Sequence, residues 1–278
     1  MSDAPEKVMR FATWNIERPG MERAHRLVRF LSSRDWDILA LQEVSQRAWR
    51  VITESGIAES GFCTLDGFGI TSQGKLPHGA ALLARNGFRL AEPQMIPGLP
   101  KAERALAAVT TVRGITVTVA SWHAPNAAGE GPMTKRQGYL GIIEWLDTIS
   151  GPIVLGFDGN HGNLSVDLEP GYVAESDSPW YLENRFFGSN KPHRLRDAFL
   201  DYLREHPLEY EGIVKLRPRG PLAVSYVRGS SKKPVEDRFD YVFVSDEIDV
   251  RGCFYDYEGA IAAGSDHAIV IANLGVRS

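Results

Sequence analysis

Near the end of the chain an acid and an imidazole stand side by side in Gly264-Ser265-Asp266-His267-Ala268, directly before the apolar run Ile269-Val270-Ile271. Comparable polar clusters border other apolar runs: Trp14-Asn15, Gln42-Glu43, Trp122-His123-Ala124-Pro125-Asn126, Asp158-Gly159-Asn160 and Arg238-Phe239-Asp240. These are the residue types of phosphoester hydrolysis. Carboxylate and amide oxygens are hard donors that suit an ion such as Mg²⁺, and two histidines titrate near neutrality and can move protons. Glu43 follows Ile38-Leu39-Ala40-Leu41, where a bare carboxylate is costly to bury and a metal or a cation is its natural partner. Asp158 and Asn160, two residues apart, reach the same side of an extended segment. Gly156, Gly159 and Gly162 let backbone approach a bound group, and they also fit a plain turn. Asp240 with His267 is the pairing in which a carboxylate fixes an imidazole's tautomer and orientation. Asn15, shortly before Pro19-Gly20, reads by itself more readily as a turn cap than as a ligand.

Apolar runs predict strands at about 8–14, 37–42, 80–84, 107–112, 115–122, 153–157, 241–245 and 268–274. Helices follow from Ala24, Leu27, Val28 and Leu31, and from Tyr139, Ile142, Ile143, Leu146 and Ile149, both at the spacing of a buried stripe. A third is predicted over 195–205, with Ala198, Phe199, Tyr202 and Leu203 facing inward. Asn15, Glu43, His123 and Asp158 follow their strands, whereas Asp240 and His267 precede theirs. If the last two strands run antiparallel to the others, as mixed sheets allow, all six side chains meet on one rim. The segment 164–234 is dense in turn residues and reads as loops over this scaffold.

Composition bounds the reading. The chain has 278 residues and 43% apolar content, enough for one large domain or two small ones, and shows no repeat, low-complexity tract or linker that would divide it. One domain over 1–278 is expected. No stretch approaches the roughly 20 apolar residues of a membrane span, and residues 1–7 lack the basic-then-apolar pattern of a secretory leader. Cys63 and Cys253 are far apart and read as reduced thiols of a cytoplasmic protein. Net charge is 31 − 35 = −4, so no global basic signature points to nucleic acid. With Glu43, Asp158, Asp240 and Asp266 set aside for a bound cation, 31 acids balance 31 bases.

The ordered clusters resemble those of the endonuclease/exonuclease/phosphatase superfamily, metal-dependent phosphoesterases related to pancreatic deoxyribonuclease and the apurinic endonucleases. The resemblance rests on Thr13-Trp14-Asn15-Ile16, Leu41-Gln42-Glu43, the run His78-Gly79 to Arg85, and His123-Ala124-Pro125-Asn126. It continues through Gly156-Phe157-Asp158-Gly159-Asn160, Leu195-Arg196-Asp197-Ala198, Arg238-Phe239-Asp240 with the strand after it, and Ser265-Asp266-His267. It spans nearly the whole chain. It implies a deoxyribonuclease-like α/β fold, a four-layer sandwich of two packed mixed β-sheets flanked by helices. It also implies Asn15, Glu43 and Asp266 around Mg²⁺ or Mn²⁺, Asn126 and Asn160 at the substrate, and His123, Asp158, Asp240 and His267 in catalysis. Two departures stand out. Here one residue separates glycine from acid in Gly156-Phe157-Asp158, and the glutamate that deoxyribonucleases pair with the first histidine has no counterpart between His78 and Arg85.

The expected activity is therefore endo- or exonucleolytic hydrolysis of DNA. The main alternative is a phosphomonoesterase or phospholipase-type phosphodiesterase on a small or lipid substrate, and a more distant one is a non-catalytic binding scaffold. The basic segment from Lys191 to Lys233, carrying Trp180, Tyr181, Phe186 and Phe187 at its approach, is the candidate groove for a nucleic-acid backbone. No membrane anchor or protein partner is implied.

Overall fold

A computed structural model of the chain describes residues 8–68, 77–162, 164–169, 171–230 and 232–277; residues 1–7, read above for a leader, lie outside them. The strands are β1 (Met9–Asn15), β2 (Ile38–Ser45), β3 (Ser60–Cys63), β4 (His78–Ala84), β5 (Ala91–Met95), β6 (Ala105–Val112) and β7 (Ile115–His123). There follow β8 (Ile153–Asp158), β9 (Arg196–Asp197), β10 (Tyr226–Ser230), β11 (Lys233–Asp237), β12 (Asp240–Val244), β13 (Ile248–Asp256) and β14 (Ile269–Val276).

Alternation along these strands dictates the layers, because successive side chains leave a strand on opposite faces. Met9 and Phe11 of β1, Val117 and Val119 of β7, Val154 of β8, Val242 and Val244 of β12 and Val270 and Leu274 of β14 join one core between two sheets. Their neighbours turn outward. Ala12, Trp14, Leu39 and Leu41 pack beneath the helices Met21–Ser32 and Gln46–Glu54. Trp122, Leu155, Phe157, Tyr241 and Phe243 pack beneath Pro132–Thr148 and Tyr181–Phe187. The first sheet has the order β13-β14-β1-β2-β4-β3 and the second β5-β6-β7-β8-β12-β9, each of six strands. Both are mixed: β1 runs parallel to β2 and antiparallel to β14, while β7 runs parallel to β8 and β12 antiparallel to it. The expected four-layer sandwich is the fold observed. At Gly156 the sheets approach closely, since a Cβ there would lie 2.7 Å from both Phe11 and Thr13 of the facing sheet.

The segment 164–234 is more structured than its turn residues suggest. It holds the helices Leu164–Leu168, Tyr181–Phe187, Ala198–Glu205 and Pro207–Leu216 and the strands β9 and β10. The predicted helix over 195–205 starts later, at Ala198, because Arg196–Asp197 pairs with β12 and the Asp197 carboxylate caps the helix by accepting from the amides of Phe199 and Leu200. Ala198, Phe199 and Leu203 face inward as expected, whereas Tyr202 is only partly buried. Cys63 and Cys253 are buried and unbridged on β3 and β13. These are opposite edges of one sheet, and strands about 4.8 Å apart put them far beyond disulfide reach.

Candidate active site

Strand register assembles the rim. Asn15 closes β1 beside Gln42, His123 closes β7 beside Asp158, and Asp240 opens the antiparallel β12 also opposite Asp158. His267 stands two residues before the start of the antiparallel β14. The two orientations required by the sequence are thus both present, and the six side chains fall on one edge of the sandwich.

Asp158, 1% exposed, is the hub. Its Oδ2 accepts from Asn15 Nδ2 at 2.8 Å, a bond that crosses from one sheet to the other, and its Oδ1 accepts from the Asn160 amide at 2.7 Å. His123 Nε2 stands 3.5 Å and His267 Nε2 3.9 Å from Asp158 Oδ2. His267 Nδ1 meets Asp240 Oδ2 at 2.8 Å, so Asp240 and His267 form the expected dyad in full burial. The Asn160 amide group donates to the Ala124 carbonyl and contacts His123 Nε2, both at 2.8 Å. Asn15 also performs the turn role open to it: its Oδ1 accepts from the Glu17 amide at 2.9 Å.

Glu43 sits where β2 bulges against β4, between Leu41 and Val44, and adopts a left-handed φ of 54°. Bulges re-aim side chains, and such backbone is kept where its surroundings enforce it. The neighbouring Gln42 is locked by hydrogen bonds to Thr13 and Ser121, each at 3.0 Å. Glu43 Oε2 accepts from Arg18 Nε at 2.7 Å, and its Oε1 lies 3.7 Å from His123 Nε2. Asp266 is the outlying member. Its side chain is 44% exposed, 3.9 Å from His267 Nε2, and its Oδ1 is buried without a hydrogen-bond partner. Asn126 lies apart from the hub, exposed, and its side chain caps the helix Ala127–Glu130 by accepting from the Ala128 amide.

Electrostatics sorts these groups. Burial pushes the Asp158 carboxyl up to about 6 against the pull of His267. Burial would lower His267, but Asp240 and Asp158 carry it up to about 10, so it stands as an imidazolium. Burial, with Arg104 nearby, keeps His123 far below its ordinary value and neutral. Burial raises Glu43 despite Arg18, and raises Asp266 despite His267. Glu43, Asp158 and Asp266 are therefore crowded carboxylates held at a cost, and a hard divalent cation is the counter-charge such a set takes. Among the described residues two groups place ligand atoms within 4.8 Å of one another: Glu43 with His78 and His123, and Asp158 with Asp240 and His267. The second is occupied by the dyad's own hydrogen bond. The expected set of Asn15, Glu43 and Asp266 is not one of these groups: Asn15 Oδ1 already accepts from the Glu17 amide, while Asp266 Oδ1 is buried without a hydrogen-bond partner.

Sequence reasoning missed several neighbours. His78 opens β4 and lies beside His123 with ring centroids 5.7 Å apart; its sequence motif assigns this residue no role. Arg18 carried no signal. Tyr226, at 4.8 Å from the His267 ring and stacked on Phe239, walls the dyad. Lys135, 4% exposed, donates to the Asn160 carbonyl at 2.7 Å, and burial lowers it to about 8.

The expected basic groove is dispersed. Phe186 and Phe187 belong to the core, His193 is buried against the Phe186 carbonyl, and Arg194 pairs with Glu247. Lys191, Arg196 and Arg204 line a separate cavity of about 420 Å³, and Arg217 bonds the carbonyls of Pro221 and Leu222. Arg228 and Lys233 lie on the hairpin of β10 and β11 that also carries Tyr226.

The family model described as the endonuclease/exonuclease/phosphatase family matches residues 12–267. No curated protein matches the chain by sequence. Among solved structures, an endonuclease/exonuclease/phosphatase from Bacteroides vulgatus is 17% identical, with a TM-score of 0.65 over 98% of this chain and 100% of that one. D. rerio TDP2 complexed with single strand DNA product is 12% identical, with a TM-score of 0.67 over 98% and 100%. The endonuclease domain of TRAS1, a telomere-specific non-LTR retrotransposon, is 16% identical, with a TM-score of 0.59 over 97% and 99%. At these identities the likeness is one of fold.

Proposed function

The chain belongs to the endonuclease/exonuclease/phosphatase family, whose members are hydrolases acting on phosphodiester bonds, and from this we propose that it is a divalent-metal-dependent nuclease cleaving DNA. One observation carries the reading: the buried Asp158 carboxylate is held by Asn15 from the facing sheet and flanked by two histidines, one neutral and one protonated. Asp158, titrating near neutrality and oriented by two N–H donors, takes a proton from the attacking water. The His267 imidazolium, fixed by Asp240, lies against the charge gathering on the phosphate oxygens. The departing oxygen takes the Nε2 proton of His267, the neutral His123 faces the Asn160 amide group through Nε2 and orients it, and Asn160 and Asn126 contact the substrate. Mg²⁺ or Mn²⁺ held by Asn15, Glu43 and Asp266 would offset charge on the non-bridging oxygens. We take residues 1–278 as one catalytic domain, acting in the cytoplasm; among the described residues no helix is long and apolar enough to cross a membrane.

DNA is favoured by the DNA-bound and endonuclease structures that share the fold. The dispersal of the basic segment favours the second reading, a phosphoesterase on a small or lipid substrate. Purified protein is to be incubated with plasmid, single-stranded DNA, RNA, sugar phosphates and phospholipid, with Mg²⁺ or Mn²⁺ and with excess chelator. Metal-dependent nicking or shortening of DNA is expected. Full activity in chelator refutes the metal reading, and cleavage confined to phospholipid or sugar phosphates refutes the nuclease reading.

A further inference from the structure

Beside the catalytic turn a cavity of about 790 Å³ opens, lined by Asn160, Lys135, His161, Trp180, Arg228 and Phe239 among others. Lys135 is its unusual member. A lysine with 4% exposure is rare unless paired, yet among the described residues no carboxylate makes a salt bridge with it. Glu183 and Asp158 act on it only from farther away. One hydrogen bond, to the Asn160 carbonyl at 2.7 Å, uses one of its three donors. The ammonium also lies 5.5 Å from the centroid of the Trp180 ring, which is 36% exposed. Across the cavity Arg228 is half spent on Asp237 at 2.6 Å, and Phe239 is stacked on Tyr226 with its ring at 19°. A buried cation with free donors, a partly exposed indole and a second cation thus surround a space that begins at Asn160, two residues from Asp158.

We propose that this cavity is a subsite for the nucleotide next to the scissile phosphate, with Lys135 taking that nucleotide's outer phosphate and Trp180 stacking on its base. The inference rests on the nuclease reading above and adds the substrate class: one strand whose flanking nucleotide leaves any duplex to enter the cavity. An indole face stacks on any base, and a buried ammonium gains more from a phosphate than a solvated one does because the surrounding dielectric is low. The arrangement selects for a phosphate at a fixed distance from the cleaved bond, not for sequence.

The test compares dinucleoside monophosphates with the same dinucleotides carrying one additional terminal phosphate, 5′ in one series and 3′ in the other. The readout is the ratio of kcat/KM with and without that phosphate. Wild-type protein is expected to prefer one phosphorylated series by about 10-fold or more, and Lys135→Met to bring the ratio to about one, with Lys135→Arg retaining most of the preference. Trp180→Ala, which leaves the bond to Asn160 in place, is expected to lower kcat/KM on the preferred dinucleotide about 10-fold relative to the same compound lacking the flanking base. If Lys135→Met lowers both substrates equally, the lysine only holds the catalytic turn and the subsite is overturned. Wild-type cleavage of dinucleotides without any phosphate preference also overturns the subsite and leaves the nuclease reading standing. Cleavage of bis(4-nitrophenyl) phosphate but of no dinucleotide removes both.

Discussion

Replacing Asp240 by Asn tests whether the dyad is an ion pair or a packing contact. Asp240 is fully buried, its Oδ2 is 2.8 Å from His267 Nδ1, and its other oxygen is buried without a partner. Burial alone would neutralise His267, so the rise from 6.5 to about 10 measures how strongly the carboxylates hold its proton. A group whose folded pKa exceeds its unfolded one contributes stability that is complete below pH 6.5 and lost as pH rises to 10. At about 1.36 kcal/mol for each of about 3.5 units, His267 contributes on the order of 5 kcal/mol at neutral to acidic pH. Asp158 at 3.9 Å and Asp266 supply part of this, so removing Asp240 should cost about 3 kcal/mol at pH 6.5. Urea unfolding of wild-type and Asp240→Asn protein, in chelator at pH 6.5, 8, 9 and 10, reads the difference. The two stabilities should converge toward pH 10, and a histidine-selective NMR titration should show His267 titrating lower in the variant. A difference that stays constant with pH would refute the ion pair.

Glu43→Ala should weaken Mn²⁺ binding in calorimetry by at least about 10-fold while costing little stability, because it removes a carboxylate that burial disfavours; unchanged binding means Glu43 is not a ligand. His267→Ala and Asp240→Ala should each lower kcat by at least about 10²-fold, and the double variant should be little worse than the poorer single one; losses that multiply would show two independent groups. Gly156→Ala places a methyl group 2.7 Å from Phe11 and Thr13 and should destabilise by about 1–3 kcal/mol in denaturant unfolding; a neutral result would mean the sheets separate there easily. Both thiols should resist iodoacetamide at pH 8 in the native state, since burial raises Cys63 to about 12 and Cys253 further; rapid labelling would contradict that burial.

Period-two alternation in runs such as Ile115 to Ala120 states which residues face inward whatever the partner strand is. The central strands were therefore legible in the sequence, as were the acids, amides and histidines at the strand ends, while the two-sheet sandwich followed from the family resemblance. Short elements were not: Tyr181–Phe187 and Pro207–Leu216 lie among Pro, Gly and Ser, and seven to ten residues give too few turns for a helical stripe to show. The Asp240–His267 dyad could be guessed, because its members border recognisable strands. Its charge state, and the rise of Asp158 to about 6, arise from desolvation that exists only once the sheets close over them. The same holds for the bond between Asn15 and Asp158, 143 residues apart, for His78 beside His123, and for Lys135 against Asn160. A local pattern fixes which way a side chain leaves its own element, but which distant group it meets depends on how two sheets and a helix pack, and only the tertiary structure decides that.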